Sequence, residues 1–89
     1  MSGMDKTTGS GRSRAVLQQL NAEIARHGYN KRTFAKLVDI NYNQFTDYMN
    51  GKHEMPMRVL YACIDALGVP DGEFFEAARA LYERTNRDD

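Results

Sequence analysis

Apolar residues recur along this chain at steps of three and four, and polar residues fill the spaces between them. Val16, Leu17, Leu20 and Ile24, with His27 at the edge of the stripe, line one side of a helix that Ser13 is placed to cap and Gly28 to end. Asn30 opens a second, short helix over Lys31 to Val38, whose apolar side is Phe34, Ala35, Leu37 and Val38. Ala35 has the small side chain that two closely crossing helices need. Asp39 and Ile40 form a tight connection, with Asp39 where a left-handed residue is expected and Ile40 pointing inward. Asn41 then caps a third helix that Gly51 stops, with Phe45, Tyr48 and Met49 on its inner face. Beyond the polar loop Lys52–Met55, Pro56 marks a fourth helix with the stripe Val59, Leu60, Cys63, Ile64 and Leu67, ended by Gly68. Asp71 or Gly72 opens a last helix to about Arg84, with Phe74, Phe75, Ala78, Leu81 and Tyr82 as its apolar side. No segment alternates with the period of a strand. The pattern predicts an all-α fold of five helices.

At 89 residues there is room for one domain. Residues 1–12, rich in Gly, Ser and Thr and without apolar periodicity, read as a flexible arm, residues 13–84 as the domain, and residues 85–89 as a frayed tail. The single cysteine excludes an intramolecular disulfide and a thiolate metal site, and suits a reducing compartment. No apolar run is long enough to span a bilayer and no signal-peptide core stands near the start, so a cytoplasmic protein with no membrane partner is expected. His27 and His53 have no cysteine or carboxylate at ligand spacing, so neither a metal nor a cofactor is expected.

The formal charge is zero, which by itself weighs weakly against a nucleic-acid partner. Its distribution changes the picture. Through Ala62 there are nine basic and five acidic residues, a balance of +4; from Cys63 onward there are three and seven, a balance of −4. A basic front and an acidic back would orient the molecule on a polyanion.

The second and third helices, each opened by an asparagine and joined by a short turn, make a helix-turn-helix unit. The outer side of the third helix carries Tyr42, Asn43, Gln44, Thr46 and Asp47, polar but mostly uncharged. A short helix anchored by one apolar side and free on an amide-rich side is suited to reading base edges. A merely solvated face is the competing reading from this window alone.

The run from about Leu17 to Phe75 resembles the Cro and lambda-repressor-like helix-turn-helix family. The resemblance rests on the leucine stripe of the first helix and on Phe34-Ala35-Lys36-Leu37-Val38. Ile40-Asn41, Phe45 and Tyr48 follow at the usual spacing, then Asn50-Gly51-Lys52, Pro56 and Leu67-Gly68-Val69. It implies a compact five-helix domain that binds double-stranded DNA as a homodimer, the third helix in the major groove. Carried over, Asn41, Tyr42, Asn43, Gln44, Thr46 and Asp47 fall on groove-facing positions. Asn and Gln can pair with both major-groove edge atoms of adenine, a carboxylate can accept from cytosine, and Tyr42 can stack on a thymine methyl or reach a phosphate. Lys31, Arg32 and Lys36 on the second helix, with Lys52 and His53 beyond the third, are the candidates for phosphate. Phe75, Ala78 and Tyr82 on the last helix are the candidates for the dimer seam, with Phe74 packing inward. Two departures stand out: Met49 replaces a glutamate common in the family, and Pro56 to Leu60 is about one residue shorter than usual.

These readings together point to a sequence-specific transcriptional regulator, a repressor on a palindromic operator. The alternatives are an autoregulating antitoxin, or a protein-interaction module that keeps the fold without binding DNA, a reading that the neutral charge and Asp47 support. An enzyme is not expected. The chain has no nucleophile set and no carboxylate pair with a base nearby. Gly3, Gly9 and Gly11 follow no strand and form no nucleotide fingerprint.

Overall fold

The computed structural model describes residues 2–86, with side chains placed for residues 11–85. Five helices account for the described chain: α1 Ser2–Arg26, α2 Lys31–Leu37, α3 Tyr42–Met49, α4 Met57–Leu67 and α5 Asp71–Asn86. The all-α, five-helix expectation holds. α1 lies along α5 and touches α4, while α2 packs on α3.

One core joins all five helices: Leu20 and Ile24, Phe34 and Ala35, Phe45 and Tyr48, the α4 stripe Val59, Leu60, Cys63, Ile64 and Leu67, and Phe74. Removing this apolar surface from water is the main drive for the helices to associate, since segments as short as α2 and α3 have little stability alone. An aromatic run crosses the bundle. Tyr29 meets Phe34 edge-on at 5.5 Å between ring centroids, and Phe34 meets Phe45 at 5.9 Å, which pins α3 onto α2.

Several expectations need correction. The backbone of α1 is helical from Ser2, so Ser13 caps nothing and residues 2–12 of the expected arm continue the helix instead. No proline interrupts that stretch, and a helix already nucleated extends one hydrogen bond at a time. At the other end α5 runs through Thr85 to Asn86, and the rest of the expected tail lies outside the described residues. His27 is exposed and Leu37 is 49% exposed, so both leave the stripes assigned to them. Ala15, outside the expected stripe, is buried.

Glu23 is buried among polar neighbours. It accepts from Gln19 Nε2 at 3.0 Å and pairs with Arg26 Nη2 at 2.6 Å. These contacts satisfy a carboxylate that burial would otherwise penalise.

Candidate nucleic-acid interface

The unit formed by α2, its turn and α3 is held at every end by its own backbone and caps. Asn30 and Thr33 form a reciprocal box: the Thr33 N–H donates to Asn30 Oδ1 at 2.8 Å, and the Asn30 N–H donates to Thr33 Oγ1 at 3.0 Å. α2 then ends in the left-handed residue Asp39, φ 61°. The Ile40 N–H reaches back to the Ala35 carbonyl at 2.9 Å, and the Asp39 N–H to that of Lys36 at 3.1 Å. This paired bonding is the Schellman ending, normally built on glycine. α1 and α3 end in the same way at Gly28 and Gly51. The turn therefore needs no glycine, because Asp tolerates the left-handed region better than most residues.

α3 starts at the Asn41 cap, whose Oδ1 accepts from the N–H of Asn43 at 2.9 Å and of Gln44 at 3.3 Å. That double acceptance leaves only the Nδ2 donors of Asn41 facing outward. Asn41 therefore cannot form the acceptor-and-donor pair with adenine that its side chain allows in principle. Phe45 and Tyr48 anchor the inner side, as the spacing predicts, and Met49 is half-buried beside them. Asn43 and Gln44 are exposed, the two amides left to meet a ligand. Gln44 Nε2 donates to the hydroxyl of buried Tyr48 at 3.0 Å, so this amide is fixed by the core. Thr46 is half-buried and donates to the Tyr42 carbonyl at 2.9 Å, leaving its hydroxyl as an acceptor. Asp47 is half-buried; its carbonyl accepts from the N–H of Lys52 at 2.9 Å, and its carboxylate stands 3.9 Å from His53 Nε2.

The candidate phosphate residues fall into two groups. The Arg32 guanidinium lies 4.2 Å over the centroid of the Tyr42 ring, a cation–π contact that joins the start of α2 to the start of α3. Lys31, His53 and Arg14 are among the residues that line an open cleft of about 1000 Å³ between α1 and the loop after α3. Lys36 and Lys52 are exposed near the ends of α2 and α3. The structure thus brings Arg32 to Tyr42 and places Lys31 and His53 on the same cleft. It places Lys36 and Lys52 on the surface, with no ion pair to either among the described residues.

On α5, Phe74 is fully buried, as expected, but Ala78 is 3% exposed and belongs to the core, so it is corrected as a dimer residue. Tyr82 is half-buried against α1, with the Arg12 guanidinium 4.8 Å over its ring. Phe75 is half-buried too, and its ring meets Tyr61 of α4 at 6.2 Å. Tyr61 and Met57, 40% and 54% exposed, extend this aromatic contact as a surface stripe that the apolar periodicity did not reveal. Their four-residue spacing on α4, off the buried side, was the available signal. For Tyr48 the signal was its position four residues after Gln44.

Comparison with known proteins bears on what this arrangement is. The family model of the Cro/C1-type HTH DNA-binding domain matches residues 19–78, a stretch that contains α2, the turn, α3 and α4 whole. No curated protein and no solved structure matches the chain. The matched stretch covers most of the sequence and holds the capped, core-anchored helix-turn-helix unit, so the chain belongs to the family of Cro/C1-type helix-turn-helix DNA-binding domains.

Proposed function

We propose that this DNA-binding protein is a sequence-specific transcriptional repressor that docks α3 in the major groove of an inverted-repeat operator. The observation that carries the reading is the two-sided build of α3. Phe45 and Tyr48 fix one side in the core, and the exposed amides Asn43 and Gln44 stand on the other. In this reading Asn43 and Gln44 read base edges, Asp47 accepts from cytosine, and Asn41 donates through Nδ2. Tyr42 serves as the platform for Arg32. Arg32, Lys31, Lys36, Lys52 and His53 hold phosphates and set the register, which carries no sequence information itself.

The protein acts as a homodimer in this reading, because an inverted repeat matches a two-fold protein. The seam is formed by Phe75 with the exposed neighbours Tyr61 and Met57, an apolar stripe of the kind that marks a partner surface. The role requires binding alone.

Selection of the purified protein on random duplexes, read by sequencing, tests the proposal. An inverted repeat with half-sites about one helical turn apart is the expected product. The affinity for it should fall steeply with salt as counterions are released. An unenriched pool, or binding insensitive to salt, would replace this reading with that of a protein-interaction module.

A further inference from the structure

We propose that Tyr48 is a positioning residue for sequence readout, holding the Gln44 amide in the orientation that selects an adenine–thymine pair. The inference rests on the reading that α3 enters the major groove, and it names the device by which one of its side chains is made specific.

Tyr48 is 7% exposed, and its ring belongs to the core that fixes α3. Its hydroxyl sits at the boundary of that core, 3.0 Å from Gln44 Nε2 one turn earlier. Gln44 is itself exposed. A primary amide has two N–H groups, one on the same side as the carbonyl oxygen and one on the opposite side. If the opposite N–H donates to Tyr48, the oxygen and the near N–H remain together as one free edge. That edge is an acceptor beside a donor, the complement of adenine N6–H and N7. If the amide turns over, Tyr48 donates to the oxygen instead, and the plane of the amide is held in the same way. A long glutamine normally loses much rotamer freedom on binding. Here the buried ring has already ordered it.

Asn43 is exposed and its side chain has no hydrogen-bond partner among the described residues, so only one of the two amides has this support. The consequence is unequal readout. The base pair under Gln44 should be the stringent position of each half-site, and the pair under Asn43 the tolerant one.

The experiment is selection on random duplexes with the full chain as wild type, Tyr48→Phe, Gln44→Ala and the double variant, with folding followed by circular dichroism. Tyr48→Phe keeps the ring and removes the hydroxyl. The wild type should enrich an adenine–thymine pair at one position of each half-site that Gln44→Ala abolishes. Tyr48→Phe should weaken that preference by ~10-fold, the scale of one well-placed bidentate contact. Other positions and the salt slope should stay unchanged, and Tyr48→Phe should add nothing in the Gln44→Ala background. Unchanged preference in Tyr48→Phe, independent effects of the two substitutions, or a motif indifferent to Gln44→Ala would each overturn the inference while leaving the DNA reading intact. A wild type that enriches no motif would instead remove that reading, and the inference with it. A measurement on the wild type alone covers the case of an unfolded variant. Nitrogen relaxation of the Gln44 side-chain amide should show it ordered relative to exposed Gln18, and equal mobility would overturn the proposal.

Discussion

Asp39 and Gly51 occupy equivalent places at the ends of neighbouring helices, both left-handed, with φ of 61° and 78°. A side chain is disfavoured there and glycine is not. Asp39→Gly should therefore stabilise the fold by ~0.5–1 kcal/mol, and Gly51→Ala should destabilise it by a similar amount. A Cβ on Gly51 would meet nothing within 4 Å, so its effect is conformational rather than a clash. Opposite shifts of the thermal midpoint check the pair. Cys63 gives a residue-scale prediction of another kind. Burial pushes its thiol up from 9.0 to about 11, so between those values the unfolded chain has released a proton that the native chain retains. Stability contributed by the neutral thiol is complete below pH 9.0 and declines as pH rises towards 11, by roughly 2 kcal/mol at most. Denaturant unfolding at pH 8 and pH 10.5 should show the decline in the wild type and a smaller one in Cys63→Ala.

At the scale of the element, α3 was legible because its inner and outer residues differ in kind at helical spacing. The Asn41 cap, Phe45, Tyr48 and the Gly51 stop all stand where the pattern puts them. What the pattern could not show is contact between residues on the flanks of a helix, where periodicity assigns neither side. Gln44 on Tyr48, Arg32 over Tyr42 and the bonding of Asp47 to the following loop are all of this type. Leu37 fails for a related reason, since a seven-residue helix that buries Phe34 and Ala35 has little interior left to offer. The Arg32–Tyr42 pair yields a prediction that belongs to this scale. In the proposed interface Arg32→Ala should lower affinity for every duplex and reduce the salt slope by about one unit, leaving sequence preference in place. Titration at several salt concentrations measures it, and an unchanged slope would remove Arg32 from the phosphate contacts.

In the whole molecule, the five-helix architecture followed from composition and periodicity, whereas the division between buried and surface residues on α5 did not. Adjacent helix positions lie about 100° apart, which separated Phe74 from Phe75 correctly. Spacing alone could not tell that α1, helical from Ser2, would cover the side of α5 carrying Ala78 and Tyr82. The surface stripe that remains is Met57, Tyr61 and the outer edge of Phe75. Charges placed on it, Met57→Glu with Tyr61→Glu, should leave the fold intact because both residues are exposed, and should turn a proposed dimer into a monomer in sedimentation. A wild type that is monomeric at high micromolar concentration would remove the seam from the proposal.

The central claim is that the exposed amides of α3 carry sequence information while the cations around it carry affinity. Competition binding of wild type and Gln44→Ala against the selected operator and a scrambled duplex, at one fixed salt concentration, tests it most directly. Gln44→Ala should narrow the preference for operator by an amount worth ~1–3 kcal/mol and leave affinity for the scrambled duplex nearly unchanged. An equal loss on both duplexes would contradict it.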